Sequence, residues 1–139
     1  MTNAVFHHVA ISCKDMAKTE RFYSEHFGFR RARVIPLGDT QIVFLRAGDF
    51  YLELFAADGD APAPPAGGDG PHYPGWRHIA FRVDSVDAKL AEMGDDAVVT
   101  LGPLDFDDFI PGWRTVWVAD PDGNIIEISQ GFADQSSAT

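Results

Sequence analysis

The chain carries the same short pattern twice. His8-Val9-Ala10-Ile11-Ser12 aligns with His78-Ile79-Ala80-Phe81-Arg82, and Tyr51-Leu52-Glu53-Leu54-Phe55 aligns with Ile125-Ile126-Glu127-Ile128-Ser129. Such a duplication constrains the fold more than composition does, because each half must build the same unit of secondary structure. Each copy opens with a His and closes with a Glu. A site built by equivalent elements on a pseudo-two-fold axis would therefore receive two of each.

The order of elements within each half follows from local patterning. In the first, β-prone Phe6, Val9 and Ile11 predict a strand over 6–12, and Asp15 is placed to cap a helix over 16–26 whose apolar face holds Thr19, Phe22, Tyr23, His26 and Phe27. Gly28 suits the left-handed conformation in which helices often end. Strands are then expected over 29–36, 41–47 and 50–56, the last two joined by Gly48-Asp49. The second half repeats this order, with strands over 77–83, 97–101, 114–119 and 124–129 and a helix over 86–93 capped by Asp84 or Ser85. Both halves read βαβββ. Residues 58–75, rich in Pro, Gly, Ala and Asp, can neither propagate a helix nor fill a core and read as an exposed linker. The expected organisation is one domain over 1–139, with modules over 4–57 and 76–132, this linker, and a frayed tail over 133–139.

Composition excludes several functions. A formal net charge of -10 with scattered Lys and Arg argues against nucleic-acid or anionic-membrane binding, and no apolar run approaches the roughly 20 residues that span a bilayer. The single cysteine, Cys13, rules out an internal disulfide framework and suits a reducing compartment. Residues 1–8 lack both a basic run and a long apolar core, so a cytoplasmic location is expected.

The repeated residues carry the candidate chemistry. Strand alternation puts His8, Ala10 and Ser12 on one face, and His78, Ala80 and Arg82 on one face, so each His has a small alanine beside it. Glu53 shares its face with Tyr51 and Phe55, and Glu127 with Ile125 and Ser129. A carboxylate among such neighbours is costly unless a cation pairs with it. Any one of the four could be a structural or solvated residue. Their duplication favours a common role as ligands of one divalent ion, His8, Glu53, His78 and Glu127 together. His7 competes with His8, but the register of the repeat selects His8 and alternation turns His7 away. His26 and His72 have no repeat partner and read as structural or exposed. Asp120-Pro121-Asp122-Gly123 is a turn rather than a metal loop, and Cys13 reads as a buried, unreactive thiol. Residues 102–113, with Phe106, Phe109, Ile110 and Trp113, form either a lid, a pocket wall or a packed surface loop.

With "HHVAIS", "LELF", "RHIAFRV" and "DPDGNIIEI", the chain resembles the vicinal oxygen chelate superfamily over nearly its whole length, and its glyoxalase I-like members most. The resemblance implies an α+β fold of two tandem βαβββ modules whose curved mixed sheets form a metal-binding cup. It also implies a homodimer, a small-molecule substrate and one divalent ion: Zn, Ni, Co, Mn or Fe. Dioxygenases and fosfomycin-resistance enzymes of the superfamily need two His and one Glu, so the additional Glu53 favours the four-ligand, glyoxalase-like branch. That branch transfers a proton next to a chelated oxygen, with Glu127 as the base and Glu53 as the second carboxylate. The alternatives are an extradiol-type dioxygenase, a thiol transferase, or a metal-free binding or resistance protein. Where glyoxalase I commonly binds glutathione with Arg and Asn, this chain has Ser12 and Ala57, which removes the expected carboxylate recognition. Tyr51, Phe55, Trp76 and Trp113 point to a partly apolar substrate.

Overall fold

A computed structural model describes residues 2–136, so of the expected tail residues 137–139 lie outside the described residues. Contacts divide the chain into two units, Met1–Ala63 and Pro64–Thr139. The division falls within the expected linker. Residues 64–75 belong with the second unit, where Gly70 is buried and Asp69 half-buried.

The first unit runs β1 (His8–Cys13), α1 (Met16–Phe27), β2 (Arg30–Leu37), β3 (Thr40–Ala47) and β4 (Phe50–Ala56). The side chain of Asp15 accepts the Lys18 amide at 3.1 Å and starts α1. Gly28, left-handed at φ 72°, ends it, and both its amide and that of Phe29 turn back to the Tyr23 carbonyl. The four strands form one sheet in the order β1-β4-β3-β2, with β1 parallel to β4 and the other pairs antiparallel. Alternation divides the sheet into two faces. Val43, Leu45, Leu52 and Leu54 are buried on one face, which α1 covers with Thr19, Phe22 and Tyr23. Burial of each such aliphatic side chain contributes about 1.5–3 kcal/mol. Tyr51, Glu53 and Phe55 therefore take the opposite face.

The second unit repeats the order: β5 (Ile79–Arg82), α2 (Val86–Met93), a single 3-10 turn (Gly94–Asp96), β6 (Val98–Asp105), β7 (Arg114–Ala119) and β8 (Ile125–Gln130). Ser85 caps α2 by accepting the Ala88 amide at 3.1 Å. The sheet order is β5-β8-β7-β6, with β5 parallel to β8. Val116, Val118, Ile126 and Ile128 are buried on the face toward α2. These tandem βαβββ halves are the fold expected from the repeat.

Three local features refine the expectation. Strand β6 extends to Asp105 through Gly102-Pro103, where its register with β7 shifts. As an edge strand it tolerates a proline that has no N–H to donate. Residues 106–113 close the β6–β7 hairpin, because the Phe106 amide donates to the Trp113 carbonyl at 2.8 Å and the Gly112 amide to Asp107 Oδ1 at 2.8 Å. At the β7–β8 turn, Asp120 Oδ1 accepts the Asp122 and Asn124 amides, and Oδ2 accepts the Asn124 side chain, each at 2.9 Å. Those bonds make Asp120 the scaffold of the turn, as its Pro-Asp-Gly context predicts.

Candidate metal centre

In the first unit, parallel pairing sets Ala10 against Glu53 and His8 against Tyr51. The small alanine leaves the carboxylate room to reach along the strand. His8 Nε2 stands 3.1 Å from Glu53 Oε1. In the second unit Ala80 is set against Glu127, and His78 Nε2 stands 2.9 Å from Glu127 Oε1. Each glutamate side chain is only 16% exposed, so both carboxylates are largely withdrawn from water and each turns to a histidine. The structure thus brings together His8 with Glu53 and, within the other unit, His78 with Glu127.

The donor chemistry fits a divalent ion. His78 Nδ1 lies 2.6 Å from the Asp69 carbonyl, which can only accept, so this nitrogen carries the hydrogen. A neutral His78 then turns the Nε2 lone pair toward a carboxylate oxygen, and two such lone pairs require a cation, either a proton or a metal. Two donors each about 2.1 Å from one ion lie roughly 3.0–3.4 Å apart at ligand angles near 90–109°. Both observed His–Glu distances are close to that range. A carbonyl partner on the second imidazole nitrogen is also what metal-ligating histidines ordinarily have.

Segment 66–73 is organised around this contact. Asp69 takes His72 Nε2 at 2.7 Å and Arg77 at 3.2 Å, while Thr100 on β6 donates to the Gly68 carbonyl at 2.6 Å. The hydrogen bond from His72 holds the Asp69 carboxyl below the usual carboxylate range; partial burial opposes this and the Arg77 charge adds to it. A Cβ on Gly70, where φ is +108°, would stand 1.9 Å from the Arg77 carbonyl oxygen. Only glycine permits that approach.

His8 is supported differently. Alternation was expected to turn His7 away, but β1 begins at His8, so His7 lies outside the strand that would impose it. Its Nδ1 comes within 2.8 Å of His8 Nδ1, and its ring stacks on Tyr51 at 4.9 Å. With the shared hydrogen on His8, Nε2 keeps its lone pair for a cation held between it and Glu53. His7 is thus a neighbour of the candidate ligand. His26 is buried on α1 and His72 is the exposed partner of Asp69, so neither belongs to the His–Glu pairs.

An aromatic ring opposes each glutamate across the next strand. Phe44 pairs with Glu53 and meets His8 edge-on at 5.8 Å, and Trp117 pairs with Glu127 and meets His78 at 6.2 Å. Sequence reasoning missed both, although Val43-Phe44 aligns with Val116-Trp117 in the same repeat. The buried Trp117 Nε1 has no hydrogen-bond partner among the described residues. Tyr51 lies between the His7 ring and the Arg46 guanidinium, which sits 5.2 Å from its centroid. Phe55 keeps Glu53's face, opposite Ser12. Trp113 donates to Ser129 Oγ at 3.0 Å, on the face that carries Glu127 two residues earlier, and packs on Phe106. Trp76, by contrast, is 89% exposed.

The model of the Glyoxalase/Bleomycin resistance protein/Dioxygenase superfamily matches residues 5–128, and the chain belongs to that superfamily. It is 30% identical to the uncharacterized protein YwkD of Bacillus subtilis (strain 168), over 88% of this chain and 93% of that protein. It is 32% identical to the uncharacterized protein YaeR of Escherichia coli (strain K12), over 88% of this chain and 92% of that one. Among solved structures, TnmS3, an antibiotic binding protein from Streptomyces sp. CB03234, shares the fold with a TM-score of 0.65 at 24% identity, covering 95% of this chain and 99% of that one. The superfamily unites enzymes with binding proteins that catalyse nothing, and its members commonly hold a divalent metal. No helix among the described residues is long and apolar enough to cross a membrane.

Proposed function

We propose that His8, Glu53, His78 and Glu127 hold one divalent ion, the two His–Glu pairs meeting within one chain or across a homodimer, and that the protein is a glyoxalase-like lyase or isomerase. The observation that carries this is the duplicated His–Glu contact, 3.1 Å in one unit and 2.9 Å in the other, with an alanine beside each carboxylate. Two imidazoles and two carboxylates suit Zn, Ni, Co, Mn or Fe. When bound, such an ion polarises a substrate carbonyl and lowers the barrier to losing the adjacent proton. Glu127 takes that proton and returns it at the neighbouring carbon, and Glu53 completes the ligand set. The orphaned Trp117 indole N–H on Glu127's face is a donor for a substrate oxygen. Tyr51, Phe55 and Trp113 line the substrate's path.

Ser12 and Ala57 stand where a glutathione-binding Arg and Asn would be, so the substrate is a carbonyl compound other than a glutathione adduct. The test is solvent deuterium incorporation across hemithioacetals, acyl-CoA esters and hydroxy ketones, with and without added metal. Glu127→Gln is expected to reduce exchange about 10²–10⁴-fold while the metal stays bound. Unchanged exchange would remove Glu127 from the role of base. Oxygen consumption with a catechol and iron(II) would establish a dioxygenase, and ligand binding without any metal would establish a binding protein.

A further inference from the structure

Apart from Glu53 itself, the strands of the first sheet carry only positive charge on the face that holds His8 and Glu53. Strand pairing sets its side chains in rows: His8, Tyr51, Arg46 and Arg30 in one, and Ala10, Glu53, Phe44 and Arg33 in the next. Three of the chain's 11 Lys and Arg residues thus share this face, whose only acid on the strands is Glu53, in a chain of net charge -10. Arg30 directly opposes Arg46, a like-charge pair that costs stability unless an anion answers it. Arg46 has the Gly48 carbonyl, the Tyr51 ring and the fully exposed Asp49, which screens it little. Arg30 and Arg33 have no acidic partner among the described residues.

A β-bulge creates this arrangement. Plain alternation would put Arg31 and Arg33 on the same face, but the register shifts between them, so Arg31 pairs with core-facing Leu45 and Arg33 with Phe44. Arg31 is then neutralised by Glu20 of α1 through two hydrogen bonds, while Arg33 is delivered to Glu53's face unpaired. In the second unit the matching row, Ala80, Glu127, Trp117 and Leu101, ends in an aliphatic side chain. The arginines at the β2 edge are therefore a property of one half and not of the repeat. Val98 and Leu101 stand where Arg30 and Arg33 do, and Arg82 on β5 is at the other edge of its sheet.

We infer that Arg33, with Arg30 beside it, binds an anionic group of the substrate, a carboxylate or a phosphate, whose other end reaches Glu53. Two strand spacings separate Glu53 from Arg33, about 10 Å between backbones, which an extended arginine and a small acid of a few carbons can bridge. The inference rests on the proposed site only for the position of the substrate's other end. Phe44, between the two, would pack on the aliphatic middle.

The probes are 2-oxoglutarate, its distal methyl ester and 3-phosphoglycerate, with binding measured by calorimetry on the full chain with and without manganese. The acid is expected to bind at least about tenfold tighter than the ester, and Arg33→Ala to erase that difference while leaving affinity for the ester and for manganese unchanged. Circular dichroism of the variant checks that this exposed substitution leaves the fold intact, and Arg33→Lys should restore part of the preference. The tighter of 2-oxoglutarate and 3-phosphoglycerate identifies the anion. Equal binding of acid and ester, or a preference that survives Arg33→Ala, would overturn the inference. Failure to bind manganese would remove the metal centre and leave the acid-against-ester comparison valid on the metal-free protein.

Discussion

The imidazole of His8 is held by a neighbouring ring and that of His78 by a main-chain carbonyl, and the two supports differ in how they can be removed. His7→Ala deletes the first. It is expected to weaken metal binding about 10–100-fold with little effect on stability, which competition with a chelator of known affinity would measure. The Asp69 carbonyl cannot be deleted, but Gly70→Ala pushes a Cβ into the Arg77 carbonyl and must displace the loop that holds it. A metal-affinity loss of similar size is expected, and wild-type affinity in this variant would show that the loop does not position His78. The four candidate ligands were legible because duplication marks them. His7 was misjudged because alternation was applied one residue before its strand begins, and Asp69 was invisible because a backbone carbonyl carries no residue type.

Each element of the repeat is stabilised by its own small core. Ile126 is fully buried beneath α2, so Ile126→Ala should cost about 2–5 kcal/mol in urea unfolding. Asp120 tests a different mechanism. Three N–H groups of the β7–β8 turn depend on its carboxylate, and Asp120→Ala leaves them short of partners at a cost of at least about 2 kcal/mol. A loss below about 0.5 kcal/mol would mean that water replaces it. Both helices and all eight strands were readable from periodicity and caps, since Asp15, Gly28 and Ser85 do what their types predict. Strand β6 ran past its expected end because Gly102 and Pro103 signal a loop wherever they stand, and only the sheet order reveals that this strand is an edge. The bulge that re-aims Arg33 was equally hidden, as a register shift is decided by the partner strand.

At the scale of the molecule, the repeat makes the two halves alike in scaffold and unlike in detail. Both offer a His–Glu pair with an aromatic ring across the next strand, yet on that face one sheet ends in Arg30 and Arg33 and the other in Val98 and Leu101. Function in such a chain would come from the equal contributions to the ion and the unequal contributions to the substrate. The measurement that bears most directly on this is metal stoichiometry in the wild type, in Glu53→Ala and in His78→Ala. One ion per chain is expected in the wild type, with binding lost in both variants, because one ion would depend on both halves at once. Two ions per chain, or a variant that still binds an ion as tightly through its intact half, would contradict a shared centre.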